Sequence, residues 1–468
     1  MTRGSRVARI GLRVTLLCGG IIVGAAAAIV AMLFAMRRGG IALTFWHERV
    51  LHVAQWWPRI LVVEIIWSVA LIALVTALLI AGIRMPKRFA RALLAGQVVL
   101  LGLFLSAPIP LDADQYAYVA SADLTNLRYG PHGAMVRGVP LPHPVLSRDR
   151  YGPAFTLGTA VVLRPFRAAN LETQARVLRA LAALASLAVT LLLWGELQSR
   201  RSGLAALAAF ALNPVVITQT ALDAHNDIVA VLFAVAAYRF ARHERYLGAA
   251  LSLGLSVAWK IDFAPFILPL LAFAFGRSRR PAIAFAATLL VLAVPLVCAL
   301  PFGWRESLLR PYQDGQFSNL SLLYAYAGTL VAHVPHGAEL APLVRAWLGP
   351  TLAGLCAVLI AILAVRGRRA APLEIALLLL LFTAVRPQTW YALSLSLALL
   401  IPRRWAIGVF LGCSLASLVG SPGSPPFVPF SILATILSTA LGLAFAALGA
   451  PRRAPAPDRF GGLPQGGV

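Results

Sequence analysis

Apolar residues fall in long runs along this chain, and charged residues are confined to short clusters between them. The first run, Val14 to Met36, follows Arg3, Arg6, Arg9 and Arg13. It is longer than the about 7–15 residue core of a signal peptide and long enough for ~30 Å of hydrocarbon, so it predicts a retained first span with a cytoplasmic basic flank. A second run covers roughly Ile60 to Ile83 and ends at Arg84, Lys87, Arg88 and Arg91; a third, Ala92 to Pro110, leads outward. Further basic clusters lie at Arg200–Arg201, Arg239–Arg245, Arg277–Arg280, Arg366–Arg369, Arg403–Arg404 and Arg452–Arg453. Placing every cluster inside predicts about 11–14 transmembrane helices with both ends in the cytoplasm. Residues 111–150 then form the first large external loop and 302–345 a second external region. Shorter outside connections fall at 223–227, 260–262, 386–390 and 421–426, and 151–166 and 320–335 do not cross. Spans 228–240, 246–259 and 389–402 are short. Residues 37–59, with Trp46, His47, Arg49, His52, Trp56, Trp57 and Arg59, suggest an amphipathic helix lying in the outer interface. The Pro- and Gly-rich stretch 451–468 reads as a disordered cytoplasmic tail. The fold class is an all-α polytopic membrane protein, one transmembrane domain over 1–450.

Composition narrows the function. Hydrophobic residues make up 60% of the 468 and charged residues 12%, against about 25% charged in an ordinary soluble domain. A soluble enzyme, a disordered protein and a disulfide scaffold are excluded. The net charge of +24 suggests a nucleic-acid partner only until its placement is considered: the bases flank apolar runs, as a lipid bilayer requires. Cys18, Cys298, Cys356 and Cys413 each lie inside an apolar run without a C-x-x-C pair, as small hydrophobes do.

The polar residues with chemistry collect on the expected outer side. Asp112-Ala113-Asp114-Gln115-Tyr116-Ala117-Tyr118 follows the third span; its acids either mark the membrane exit or, partly desolvated, supply a general base. Asp223-Ala224-His225-Asn226-Asp227, with Asn213-Pro214 before it, lies in an apolar hairpin. It is either a polar turn with helix caps or an interfacial site, and its spacing matches no compact metal-ligand motif. Lys260 is one of only two lysines and stands outside, against the positive-inside trend. It either grips a lipid phosphate, pairs with Asp262, or snorkels. Arg386 beside Trp390 and Tyr391, and Arg148, Arg150 and Tyr151, repeat this pattern of an outside base next to aromatics.

These strings resemble GT-C-type membrane glycosyltransferases, most closely the bacterial polyprenyl-phosphate-mannose-dependent mannosyltransferases. The resemblance covers roughly residues 105–275. The S-x-D-x-Y-R-Y loop matches Asp112–Tyr118, G-x-N-P-Y matches Arg128-Tyr129-Gly130-Pro131-His132, and Y-P-P-L matches Tyr151-Gly152-Pro153-Ala154. The N-P and G-H-N-D-A elements match Asn213-Pro214 and Ala224-His225-Asn226-Asp227-Ile228, and K-x-x-P matches Lys260 to Pro265. Ala117, Arg128, Gly130 and Gly152 depart from the pattern; His225, Asn226 and Asp227 keep it together.

The resemblance implies inverting transfer of a sugar, with mannose expected, from a polyprenyl-phosphate donor to a glycan or glycolipid acceptor. It places the site on the extracytoplasmic face of a bacterial inner membrane, with no nucleic-acid partner, cofactor or metal in the scheme. A phosphate leaving group needs no protonation, so a single base suffices, whereas glycoside hydrolysis needs two carboxyls about 5–10 Å apart. Asp114 takes the catalytic position, with Asp112 as fallback. Lys260, Arg150 and Arg386 are the candidates for the donor phosphate, His225, Asn226 and Asp227 for donor or acceptor orientation, and Tyr116, Tyr151 and Trp390 for sugar stacking. A transporter or flippase for a lipid-linked or small solute is the alternative; it should show charges buried mid-helix, and the only clear mid-apolar acids are Glu64 and Glu374.

Overall fold

The computed structural model describes residues 3–39, 49–82, 85–108, 152–260, 279–298, 389–419 and 430–448, with scattered positions between them that include Gln115, Tyr118, Phe263 and Phe266. In chain order the helices are α1 (Arg3–Arg38), α2 (Arg49–Ala81), α3 (Lys87–Ser106), α4 (Pro153–Leu163), α5 (Leu171–Leu197), α6 (Gly203–Ala211), α7 (Pro214–Ala221), α8 (Asp227–Arg242), α9 (Tyr246–Trp259), α10 (Arg279–Cys298), α11 (Arg404–Val419) and α12 (Phe430–Ala447). Among the described residues the one strand pairing is a short antiparallel hairpin, Met135–Val136 against Val139–Pro140. The protein is an all-α polytopic membrane protein. Four helices among the described residues are long and apolar enough to cross a bilayer, and the bent pair α6–α7 makes a fifth.

The first three apolar runs overlap α1, α2 and α3, although α3 starts at Lys87 and ends at Ser106, ahead of the expected Ala92 to Pro110. Two further boundaries differ from expectation. From Arg49 the chain runs into the second span as one helix to Ala81, with Pro58 inside it, so 49–59 extends α2 and forms no separate element. Residues Thr389–Leu400 form a 3₁₀ helix, where a short α-helical span is expected from the apolar run. The expected tail 451–468 and almost all of 302–345 lie outside the described residues.

The apolar run before Asp223 is broken in two. Pro214 has no N–H and disfavours helix in the residue before it, so α6 ends and α7 restarts at a 40° bend. The Asn213 side chain caps the restart by accepting from Val215 N at 2.9 Å, and its amide donates to Ser414 Oγ at 3.1 Å. The Leu212 carbonyl at the break accepts from Trp67 Nε1 on α2 at 2.9 Å. All residues of α6 and α7 are buried, and α2, α3, α5 and the 3₁₀ helix pack around this broken helix. The Gln97 side chain joins α3 to α5 by donating to Ser186 Oγ at 3.0 Å and accepting from Thr190 Oγ1 at 2.6 Å. Such polar ties hold helices together where lipid supplies no hydrophobic drive. The pair α11–α12 uses small residues instead: a Cβ at Gly408 would meet Leu441 O at 2.3 Å, and one at Gly412 would meet the Leu437 carbonyl at 2.6 Å.

Candidate active site

The site is built at the turn where α7 ends and α8 begins. The turn is tight: Asp223 N donates to Thr218 O at 3.1 Å and His225 N to Gln219 O at 2.8 Å. Ala224 is forced to φ 56°, a left-handed conformation that disfavours residues with a Cβ by about 1–2 kcal/mol. Strained backbone of this kind gathers at functional sites. The turn places His225, Asn226 and Asp227 side by side, 1%, 5% and 1% exposed.

Asp227 opens α8, where the positive end of the helix dipole favours a carboxylate. Its Oδ1 accepts from the Lys260 ammonium, which stands just beyond the C-terminal end of α9. The lysine is 9% exposed, and Asp262, the partner its sequence neighbourhood offers, lies outside the described residues. His225 Nδ1 and the Tyr118 hydroxyl lie 3.3 Å apart. Burial first, and then the Lys260 charge, hold the His225 imidazole well below its ordinary pKa of 6.5, so it is neutral at physiological pH.

Aromatic rings wall this cluster. Phe155 stands edge-on to both Tyr118, at 5.3 Å, and Trp259, at 5.5 Å, and Trp259 Nε1 donates to Asn226 O at 3.1 Å. Helix α4 lies against the end of α9 because Gly152 permits it: its N–H donates to Trp259 O at 3.3 Å, and a Cβ there would meet Ala258 O at 1.9 Å. This accounts for Gly152 where the resembling loop carries proline, since proline has no N–H to give and its ring would occupy the same space.

Three amides crowd the turn. Gln115 Nε2 donates to Leu222 O at 3.1 Å, and Gln219 Nε2 to Asp223 Oδ2 at 3.0 Å. The Oε1 atoms of both glutamines, and both amide atoms of Asn226, are buried without a hydrogen-bond partner among the described residues. Glu64 of α2, 6% exposed, lies within electrostatic reach of Asp223.

Residues 151–387, just over half of the chain, match Glycosyltransferase family 87. The chain belongs to that family. It is a membrane glycosyltransferase. Comparison with curated proteins and with solved structures gives no match. The matched stretch of this family 87 member contains His225, Asn226, Asp227 and Lys260 and begins after Asp112 and Asp114.

Of the residues expected from sequence, the structure brings together His225, Asn226, Asp227 and Lys260. Asp112, Asp114, Tyr116, Arg150, Tyr151 and Arg386 lie outside the described residues, as does all of the 386–388 stretch. Asn213 is a helix cap and sits apart from the cluster. Sequence reading missed Gln115, Tyr118, Gln219 and Arg179. Tyr118 shares the motif of Asp114 and carried a signal. Gln115 lies in the same motif, and Gln219 carried no signal beyond being an amide near the end of an apolar run.

Proposed function

We propose that this glycosyltransferase takes its sugar, with mannose the expected one, from a polyprenyl-phosphate donor. It passes the sugar with inversion to a hydroxyl of a glycan or glycolipid acceptor, on the extracytoplasmic face of a bacterial inner membrane. The observation that carries this reading is the joining of two motifs. Gln115 and Tyr118, from the segment that holds Asp114, hydrogen-bond to Leu222 and His225 of the turn that presents Asp227 to Lys260.

The chemistry follows from charge. A sugar phosphodiester carries one negative charge, and the polyprenyl phosphate that leaves carries up to two. A fixed cation near that phosphate stabilises the transition state more than the ground state. Lys260 is the proposed cation. Asp227 holds its ammonium in place in a buried site, and an ammonium has three donors. Arg150 and Arg386 are further candidates for the phosphate. Asp114, or Asp112 in its place, removes the acceptor proton as its hydroxyl attacks the anomeric carbon and the phosphate departs from the opposite face. Neutral His225 hydrogen-bonds without adding charge. The buried amides of Asn226, Gln115 and Gln219 suit sugar hydroxyls, each amide offering both a donor and an acceptor. Tyr116 and Tyr151 are the proposed stacking surfaces.

Donor titrations on purified protein test the reading. Lys260→Ala weakens apparent donor affinity by roughly 10–150-fold, the value of a charge-assisted phosphate contact. Lys260→Arg keeps part of it, and acceptor affinity changes far less. Equal donor affinities in wild type and Lys260→Ala would remove Lys260 from the phosphate site.

A further inference from the structure

Arg179, on the third turn of α5, is 0% exposed. Its guanidinium donates to three backbone carbonyls: Nε to Ala221 O at 2.6 Å, Nη1 to Ala107 O at 3.2 Å, and Nη2 to Phe104 O. Phe104 and Ala107 close α3, and Ala221 is the last residue of α7. The final carbonyls of a helix lack partners within it and carry the negative end of its dipole. One planar cation with donors in a fixed fork therefore satisfies two helix ends at once. A lysine, with a single nitrogen, does not span both.

What leaves those two ends matters more than the ends themselves. The chain beyond Ala107 carries Asp112, Asp114 and Gln115, and the chain beyond Ala221 carries Asp223 to Asp227. Arg179 joins the two segments at their roots, and the Gln115–Leu222 hydrogen bond joins them farther along. Asp223 lies within electrostatic reach of the same guanidinium. Alanine and serine make room for it on the inward face of α5, where Ala175, Ala182, Ala183 and Ser186 are also buried.

We propose that Arg179 is a positioning residue: it clamps the end of α3 to the end of α7 and so fixes how the chain that leaves α3 meets the His225–Asn226–Asp227 turn, where Gln115 and Tyr118 touch it. The role rests on the reading of that turn as the transfer site. Arg179 touches neither substrate in this account and acts only through backbone.

The test compares wild type, Arg179→Lys, Arg179→Gln and the control Arg176→Ala, which alters an exposed arginine on the same helix, all as full-length purified protein. Misplacing reacting groups by about 1 Å lowers a rate about 10²-fold. Arg179→Lys is therefore expected to lower kcat by roughly that factor while apparent donor KM stays within about threefold. Hydrogen exchange gives a second readout that needs no substrate: peptides over 102–108 and 218–228 should exchange faster together in Arg179→Lys, with the rest of α5 unchanged. Unchanged kcat in folded Arg179→Lys, or faster exchange at only one of the two segments, overturns the clamp. Failure of both Arg179 variants to accumulate, where Arg176→Ala accumulates, assigns Arg179 to folding of the whole bundle and also overturns it. If wild type transfers no sugar from a polyprenyl-phosphate donor, the reading of the reaction fails, and the exchange data alone decide the clamp.

Discussion

Helix α8 carries a carboxylate contact at each end, and the two are built on opposite plans. At its start, Asp227 and Lys260 face one another with side chains 1% and 10% exposed. At its finish, Glu196 of α5, 5% exposed, is approached by Arg242 at 3.2 Å, Arg239 at 3.8 Å and His243 at 3.7 Å, whose side chains are 44%, 39% and 61% exposed. Both arrangements suit the helix dipole, with the acid at the N-terminus and the bases at the C-terminus. Only the first removes both charges from water. Exposed bases reach solvent and headgroups and contribute little, about 0–1 kcal/mol each. A buried pair recovers its desolvation penalty poorly and is weak evidence of stability. The buried Asp227–Lys260 pair, beside neutral His225 and amide atoms that have no partner among the described residues, is what the proposed transfer chemistry calls for, whereas the Glu196 cluster is a contact to exposed bases, of ordinary strength.

The sharpest way to break this contrast is at Asp227. Asp227→Ala removes the carboxylate that the buried Lys260 ammonium contacts and should lower stability by about 3–5 kcal/mol. The double change Asp227→Leu/Lys260→Met removes both charges and should restore that stability or exceed it, while sugar transfer stays lost. Thermal unfolding of the detergent-purified variants, read beside a transfer assay, separates the two. A double variant as unstable as Asp227→Ala would make the pair structural.

A medium effect is expected from pH. The folded imidazole of His225 protonates well below 6.5, chiefly through burial and then through Lys260. The unfolded chain binds that proton near 6.5, so this position favours folding fully above 6.5 and loses stability as pH falls below it, by about 1.4 kcal/mol per unit until the folded imidazole titrates. Stability measured between pH 7.5 and 5 should fall more steeply in wild type than in His225→Gln. Parallel curves would mean that His225 is not held neutral. The smallest effect belongs to the other end of the helix. Arg242→Ala should lower stability by no more than about 1 kcal/mol, and by less in high salt.

Hydropathy exposed the spans because apolar length is a direct physical requirement of the bilayer, and α1, α2 and α3 follow it. It also singled out Lys260 as a lysine between two apolar runs and the His225-Asn226-Asp227 turn as polar residues among apolar ones. Their pairing was not legible. Lys260 has Asp262 two residues away in sequence, yet its ammonium meets Asp227 across the α8–α9 hairpin, a relation set by how those two helices pack. Arg179 was hidden for a similar reason. It follows Arg176 at the start of an apolar run and looks like a basic flank; only its place on the alanine-lined face of α5 indicates that it turns inward. The break at Asn213-Pro214 was readable from proline's missing N–H, but its burial at the centre of the bundle was not.

The central claim is that this family 87 glycosyltransferase draws on a lipid-phosphate sugar through a buried, prepared site. It is tested most directly by supplying purified protein and acceptor-containing membrane extract with radiolabelled mannose on either polyprenyl phosphate or a nucleotide. The account predicts label transfer from the polyprenyl-phosphate donor alone, reduced about 10²–10⁴-fold in Asp114→Asn by loss of the general base. Transfer from the nucleotide donor by the purified protein, with none from the lipid donor, would contradict it.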